Sequence, residues 1–478
     1  MKKLLQIKWL LVFGLLMRIA FMKWGAPVYY GTESYATNGG DTWAWVSCMQ
    51  NLVHTGTYTA DPAYPDGKFF RPPGYAFFLM IFYLLSGLQL ELAFKMAAIA
   101  QIVLDTITIF LVYRIVKILS GKEHLALLSG ALYCFYPFSL VWTPVLYAES
   151  PSLFFMFLTL YLLIRPTAKY NHLLAGIFMG INVLLRVQTI FLVPPIAIYL
   201  WQKSGSFQSL FKRPVLGFFI AFGLTYGSWP LRNLCYGRFI PAEEIVNDKH
   251  FSEDFVAYMF YIWSVKTDHR PQFDQIIHGE KVDWPAASYL HPGDSITLAR
   301  LANLCNTCGR GFSHFKLSAG LVKSPITEYN ECTREIAETF DRLRKEQMKN
   351  NSFHFYVQVP LSNLKKALFK SSLYDQKSKI VIIVSSLLFS FRTFMIALGL
   401  LGIWLNRKHK LMDQRFLLLT FWYFSLWYLA LCFGYRNIEI RYFLSTDVLL
   451  LIPGSIPVFL LLDRIFKFKT VQPSNRTL

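Results

Sequence analysis

The chain has 478 residues, of which 54% are hydrophobic and only 16% are charged. A soluble protein carries about 25% charged residues, and the apolar residues here form long runs, so the composition excludes a soluble globular protein. The net charge of +19 is spread over short clusters between these runs. It therefore indicates membrane topology, and no nucleic-acid partner is expected.

The apolar runs predict an all-α polytopic membrane protein with about ten transmembrane helices. The predicted spans are 8–24, 93–114, 124–142, 150–164, 172–186, 188–202, 214–231, 380–405, 415–433 and 443–463. Basic residues interrupt the first run and no small-residue cleavage site follows it, so we interpret it as a retained helix.

Lysine and arginine follow alternate joints between the runs, which places both termini and a tail at 464–478 in the cytoplasm. The basic joints are Lys2, Lys3, Arg114, Lys117, Lys122, Arg165, Lys169, Lys203, Lys212, Arg213, Arg407, Lys408, Lys410, Arg415, Arg464, Lys467 and Lys469. They share one side only if residues 74–88 do not cross. That stretch is shorter than the roughly 20 residues a span needs, so we predict an interfacial or re-entrant helix.

Residues 172–202 are too long for one span and have basic joints at both ends. They predict a hairpin of short arms, whose turn at Arg186 and Gln188 faces protein or water rather than lipid. Gly176 and Gly180 have the small-xxx-small spacing that permits close helix contact.

Two segments are predicted to lie outside the cytoplasm, namely the loop 25–92 and the polar stretch 232–379. The second is long enough for a small extracytoplasmic domain. The domain organisation is therefore a membrane core at 1–231, this domain, and C-terminal transmembrane helices at 380–463.

Five of the seven cysteines fall in these outer segments, where disulfides can form. Their pairing is open. Cys305 and Cys308 have the CxxC spacing of a zinc site, but no second pair or histidine pattern accompanies them.

The first outer loop predicts an amphipathic helix that lies on the membrane and begins at Asp41. Its apolar residues at helical spacing are Trp45, Val46, Met49, Leu52 and Val53. Two roles are open for Asp41. It is either an N-cap or a carboxylate at the membrane surface, placed to take a proton from a hydroxyl beside a lipid-borne substrate.

Three more charged residues have two possible roles each. Arg71, fixed by two following prolines, either binds a phosphate through its planar fork or anchors lipid headgroups. Glu149 stands just before the fourth span, as a plain helix-end charge or as a second functional acid. Asp105 lies inside the second span beside Gln101 and Thr108, where an interhelical hydrogen bond is favoured over a functional role.

Several motifs, in this order, resemble those of the polyprenyl-phosphate-sugar-dependent glycosyltransferases of the GT-C superfamily, relatives of protein O-mannosyltransferases and of the bacterial lipid A aminoarabinose transferase. The motifs are Asp41, 71–75 (Arg-Pro-Pro-Gly-Tyr), 147–149 (Tyr-Ala-Glu), 184–186 (Leu-Leu-Arg), 228–233 (Ser-Trp-Pro-Leu-Arg-Asn) with Gly237, and 439–442 (Glu-Ile-Arg-Tyr). The likeness covers residues 1–240 well and 380–463 loosely.

The resemblance implies an inverting transfer of a sugar from a polyprenyl-phosphate carrier at the outer face of the cytoplasmic membrane. Asp41 would be the general base, and Glu149 would either orient the acceptor or ligate a divalent cation if one is used. The residues implied to bind the donor phosphate are Arg71, Tyr75, Arg186 and Arg441.

The sequence requires no cofactor, and a divalent cation stays possible. Some relatives have a second acid directly after the first, but Thr42 follows Asp41 here, and the nearby His54 would be a substitute ligand. The expected partners are the lipid-linked donor, a glycan, lipid or protein acceptor, and membrane lipid. Two other classes stay open: a flippase or transporter of lipid-linked sugar, although transporters often show internal repeats that are not seen here, and an O-antigen-type polymerase.

Overall fold

A computed structural model describes residues 2–31, 40–165, 170–205, 213–243, 251–369 and 379–466. Within these ranges the chain is helical and contains no strand. The α-helices are α1 (Lys2–Ala20), α2 (Ala26–Tyr30), α3 (Gly40–Thr55), α4 (Pro73–Leu85), α5 (Leu90–Ser120), α6 (Glu123–Cys134), α7 (Pro137–Leu140), α8 (Glu149–Ile164), α9 (Asn171–Leu185), α10 (Val193–Ser204), α11 (Arg213–Cys235), α12 (Glu253–Val265), α13 (Arg270–His278), α14 (Asp294–Thr307), α15 (Arg310–Ser318), α16 (Glu331–Asn350), α17 (Val359–Phe369), α18 (Lys379–His409), α19 (Gln414–Leu429) and α20 (Ile440–Phe466).

Every predicted span contains a helix, and among the described residues four helices are long and apolar enough to cross a membrane on their own. These four are Gln6–Tyr30, Ile382–His409, Gln414–Tyr435 and Ile440–Ile465. Shorter apolar helices, including α4, α8 and α9, accompany them. The chain is therefore an all-helical, multi-pass membrane protein, while the total of ten crossings stays a prediction.

The structure corrects two of the predicted spans. The first helix does not stop at residue 24, because a π-helical turn at Phe21–Gly25 carries α1 directly into α2. The span 124–142 is not one helix, since α6 ends at Cys134 and only the single turn of α7 follows. Pro137 explains the break, because proline has no N–H to donate and disfavours helical backbone in the residue before it.

The hairpin at 172–202 is present as two helices, but its arms diverge. The chain breaks at Arg186 and runs through a 3-10 turn, Val187–Leu192, into α10. Helix α9 packs on α8 and α11, whereas α10 packs on α19. The two glycines of α9 are needed, because a Cβ at Gly176 would lie 2.2 Å from the Phe218 carbonyl oxygen and one at Gly180 would lie 2.6 Å from Thr225.

The helices α3 and α4 of the first outer loop each bury one face against protein. At about 1.5 Å per residue, α4 is roughly 20 Å long, too short for a hydrocarbon core of about 30 Å. The prediction that the apolar face of α3 lies on lipid is wrong, because Trp45, Val46 and Met49 are buried in a cluster shared with α4 and residues 145–148. An apolar face fits either environment, and here the protein covers it.

Two buried ion pairs fasten the bundle. Arg18 of α1 donates to Asp105 of α5 at 2.5 Å, and Tyr133 of α6 donates to the other carboxylate oxygen at 2.5 Å. The expected interhelical role of Asp105 is thus confirmed. Arg392 of α18 donates in the same way to Asp447 of α20 at 2.6 Å.

Arg441, at the start of α20, and the basic joints lie at opposite ends of the bundle. The end of α10 meets the start of α19 in a shallow cavity lined by Trp201, Gln202 and Arg415. The Lys122 ammonium lies 5.5 Å from the ring centroid of Phe459 on α20. At about 1.5 Å per residue, Phe459 is roughly 27 Å along α20 from Arg441, which is close to a membrane thickness. Lys169, Lys212, Lys467 and Lys469 lie outside the described residues.

The polar segment between α11 and α18 contains the helices α12–α17. Helices α12–α16 surround an apolar core of their own, with Phe255, Tyr258, Phe312 and Phe340 at its centre, whereas α17 packs against the core of the bundle. A disulfide joins Cys308 to Cys332, so the alternative of zinc at the CxxC spacing is wrong. Arg436 ties the segment to the bundle by donating from Nη2 to the Phe355 carbonyl oxygen at 2.8 Å.

Candidate functional site

Asp41 lies in the first turn of α3 rather than before it. The next residue, Thr42, is fully buried and its hydroxyl donates to the Leu146 carbonyl oxygen at 3.2 Å. This bond and the buried apolar face of α3 hold the start of the helix against the end of the 141–148 turn. The Asp41 carboxylate is engaged by arginines from distant segments, so the N-cap role does not describe it.

Arg71 reaches Asp41 from the segment before α4. Its Nη2 donates to Asp41 Oδ1 at 2.5 Å. The Tyr58 hydroxyl donates to the Arg71 carbonyl oxygen at 3.0 Å and fixes the backbone. The guanidinium lies 5.1 Å from the ring centroid of Trp45 and 4.7 Å from that of Phe70. The two aromatic rings attract the positive charge of the guanidinium and exclude water from it.

Arg441 reaches the same carboxylate from the first turn of α20. Its Nη2 donates to Asp41 Oδ2 at 2.7 Å, across 400 residues of sequence. Its guanidinium also faces the ring of Tyr147 at 5.2 Å. Asp41 therefore bridges two arginines, one on each carboxylate oxygen.

Glu149 and Arg186 form an ion pair beside this bridge. Helix α8 begins at Glu149 itself, which corrects the expectation that this residue stands outside the helix. Arg186 follows the last residue of α9, and Gln188 faces the same guanidinium. Close packing positions the pair, since a Cβ at Gly74 would lie 2.5 Å from the Leu184 carbonyl carbon.

Two further carboxylates extend the cluster, and their roles were not predicted. Glu243 accepts from Arg71 Nη1 at 3.0 Å, and Glu439 accepts from Arg441 Nε at 2.6 Å. The order of charges is Glu243, Arg71, Asp41, Arg441, Glu439, with opposite charges alternating. The outer carboxylates are 37% and 41% exposed, whereas the side chain of Asp41 is 26% exposed.

Electrostatics keep Asp41 ionised. Burial raises the pKa of its carboxyl, but the charges of Arg71, Arg441 and Arg186 lower it by more, so the net pKa lies below the ordinary value of 3.8. The neighbouring carboxylates raise the pKa of Arg71, although burial opposes them. Asp41 is thus an anion at neutral pH and can accept a proton.

The structure brings five of the six predicted site residues together and places Tyr75 behind them. Tyr75 is fully buried, its hydroxyl donates to Gln101 Oε1 at 2.7 Å, and its ring meets Trp45 at 5.1 Å between centroids. It supports the aromatic wall under Arg71. Glu439 had a sequence signal in the 439–442 motif, whereas Glu243 lies in the stretch where the likeness ends.

The described carboxylates of the site are paired with arginines rather than grouped with one another. Both oxygens of Asp41 accept from arginines, and Glu149 is paired with Arg186. His54 is bonded to Tyr83 at the far end of α3, roughly 20 Å from Asp41 at about 1.5 Å per residue. In the ranges given above, no three His, Cys, Asp or Glu residues are grouped to hold a metal. We assign no step to one.

Comparison with known families and folds agrees with the motifs. Residues 70–229 match the family model described as dolichyl-phosphate-mannose-protein mannosyltransferase. This match contains Arg71, Glu149 and Arg186, while Asp41 and Arg441 lie outside it. No curated protein matches the chain.

The fold is similar to that of a solved oligosaccharyltransferase. An oligosaccharyltransferase from Archaeoglobus fulgidus, tethered to an acceptor peptide, superposes with a TM-score of 0.51 at 12% identity, over 98% of this chain and 51% of that one. The oligosaccharyltransferase AglB from the same organism, in complex with an inhibitory peptide and a dolichol-phosphate, gives a TM-score of 0.48 at 13% identity, over 99% and 52%. ArnT from Cupriavidus metallidurans gives 0.35 at 13% identity, over 87% and 73%.

The present chain therefore spans about half the length of the archaeal oligosaccharyltransferases. The family match and the shared fold confirm the resemblance to the GT-C superfamily. The chain is a membrane protein with a GT-C-like fold.

Proposed function

We propose that this protein transfers a sugar from a polyprenyl-phosphate carrier to a glycan, lipid or protein acceptor at the outer face of the cytoplasmic membrane. The observation that carries the proposal is the bridge of Arg71 and Arg441 across Asp41, with Arg186 beside it. Arginine suits phosphate because its planar fork gives paired, charge-assisted hydrogen bonds. The family match over residues 70–229 supports the same class of reaction.

The proposed chemistry is a single displacement with inversion. The acceptor oxygen or nitrogen attacks the anomeric carbon of the donor sugar, the bond from that carbon to the phosphate oxygen breaks, and its electron pair stays on the phosphate. Asp41 takes the proton from the acceptor. The phosphate gains one negative charge, and the arginines stabilise that charge as it develops, where binding energy lowers the barrier.

Glu149 is the proposed acceptor-orienting residue. It is 2% exposed and anchored by Arg186, so its position is set by α8 and α9 rather than by solvent. A fixed carboxylate beside the base can accept a hydrogen bond from the acceptor and hold it in line with the anomeric carbon.

The proposed topology places the site outside and both termini in the cytoplasm. The separation of Asp41 and Arg441 from the basic joints by about one membrane thickness supports it. A cysteine placed at Asp283 should be labelled from outside in intact cells, and one at Lys408 should not. Labelling at Lys408 from outside would contradict the topology.

The function itself is tested with purified protein in vesicles and a donor carrying a labelled sugar. Transfer predicts release of polyprenyl monophosphate together with a labelled acceptor. A flippase would move the intact donor across the vesicle membrane. A polymerase that uses a different donor would leave the labelled donor unchanged.

A further inference from the structure

The fork of Arg71 already faces two carboxylates. Its Nη2 donates to Asp41 and its Nη1 donates to Glu243, so both terminal nitrogens are occupied by anions of the protein itself. The Nε of Arg71 is buried, so a phosphate that pairs with the open side of the fork competes with these carboxylates for the terminal nitrogens. The aromatic rings of Trp45 and Phe70 lie against the guanidinium and restrict its movement toward another partner.

We propose that Glu243 occupies the donor-phosphate position on Arg71 and that the lipid phosphate binds by displacing it. This inference rests on the proposed function and assigns to Glu243 the role of an exchangeable counter-ion. The exchange replaces one negative charge on the guanidinium by another. Arg71 therefore keeps its pairing with Asp41 throughout.

The contacts of the two carboxylates decide which one leaves. Asp41 is held by two arginines at 2.5 and 2.7 Å, and its side chain is 26% exposed. Among the residues that the structure describes, Glu243 pairs with one arginine at 3.0 Å, and it is 37% exposed. A partly exposed single ion pair is weak, so a phosphate displaces Glu243 at a lower cost than Asp41.

The backbone before Glu243 is fastened, so only its side chain must move. Three side chains of α11 hold successive carbonyl oxygens. Asn233 Nδ2 donates to Ile240 at 2.9 Å, the Tyr226 hydroxyl to Pro241 at 2.5 Å, and Trp229 Nε1 to Ala242 at 2.7 Å. The rotation of an exposed side chain is fast and inexpensive. Glu243 thus keeps Arg71 extended before the donor arrives.

The test measures binding of farnesyl phosphate, a short prenyl monophosphate, to the full-length protein in detergent micelles. Farnesol, which lacks the phosphate, reports the binding of the lipid chain alone. The variants are Glu243→Gln and the matched control Asp66→Asn, which removes an exposed carboxylate paired with Arg238 in the same region. Thermal melting checks that both variants fold.

We expect Glu243→Gln to bind farnesyl phosphate about two- to fivefold more tightly than the wild type, which corresponds to the energy of a partly exposed ion pair. The control Asp66→Asn should bind farnesyl phosphate as the wild type does. The binding of farnesol should be the same in all three proteins. Equal or weaker binding of farnesyl phosphate by a folded Glu243→Gln variant overturns the inference. If the wild-type protein binds farnesyl phosphate no better than farnesol, the proposed function fails first. The two failures are therefore distinguishable.

Discussion

Two regions of this protein contain the same kind of ion pair, an arginine with an aspartate, in different surroundings. In the bundle, Arg18 meets Asp105 at 2.5 Å and both side chains are fully buried. At the outer end, Arg71 meets Asp41 at the same distance, but the side chains are 17% and 26% exposed. The two distances are equal, although Arg18 donates from Nε and Arg71 from Nη2, so the surroundings decide what each pair does.

The surroundings differ in what completes the pair. Tyr133 donates to the second oxygen of Asp105 and seals the buried pair, which then joins three helices. The second oxygen of Asp41 accepts from another arginine, and more carboxylates follow outward. A sealed pair resists any change of charge, whereas an open chain of alternating charges can exchange one member for a ligand.

The largest expected effect is that of Asp41→Asn, in the partly exposed pair. Asparagine keeps the size of the side chain but cannot accept the proton, a step worth about 10²–10⁴ in rate. We expect sugar transfer to fall by that factor while the melting temperature in detergent stays nearly unchanged, since partly exposed pairs contribute about 0–1 kcal/mol. Activity above roughly a tenth of wild type would exclude Asp41 as the base and make Glu149 the next candidate.

Asp105→Asn should give the opposite result. It leaves the Arg18 charge buried without its counter-charge, which costs about 3–5 kcal/mol. We therefore expect a large loss of thermal stability in detergent. The protein that does fold should retain its kcat, because Asp105 does not contact the site. A stable variant with lost activity would mean that the buried pair takes part in function.

Arg71→Lys tests whether the open pair recognises phosphate or simply carries charge. Lysine keeps the charge but loses the paired fork. We expect the KM for the donor to rise about tenfold, the loss of one charge-assisted hydrogen bond, with normal insertion and a normal melting temperature. An unchanged KM would return Arg71 to the role of a headgroup anchor.

The smallest expected effect concerns pH. The arginines hold the pKa of Asp41 below 3.8, so its ion pairs stabilise the fold above that pH and are lost as pH falls through the lowered pKa. We expect kcat/KM for the donor to stay constant between about pH 7 and about pH 5. The lowered pKa would be contradicted if kcat/KM of the wild type fell below about pH 6 and the residual activity of Asp41→Asn did not show that fall.

Much of the helix pattern could be predicted because its signals are local. Apolar runs, basic joints and Pro137 each act on neighbouring residues. Helix α4 was recognised as too short to span because length is read directly from sequence. The break within 124–142 was missed, although Pro137 was visible, because the apolar run continues on both sides of it.

The site was predicted in part through motif order. Arg71, Glu149, Arg186 and Arg441 were named because each stands in a short motif at a helix end, and the structure brings them to Asp41. The position of Tyr75 was misjudged, since sequence does not show which side chains of a motif point into the core. Glu243 carried no signal, because it lies where the likeness ends and its contact with Arg71, 172 residues away, is visible only in the tertiary structure.

The sequence by itself determined that this is a helical membrane protein, where its helices lie, and which end carries the basic residues, since each of these follows from hydrophobicity and charge over a few neighbouring residues. Only the tertiary structure decided that α3 is covered by protein rather than lipid, because both environments are apolar. It also decided that Asp41 bridges Arg71 and Arg441. Those contacts depend on how α3, α4 and α20 pack, and close helix packing depends on shape over the whole bundle rather than on local composition.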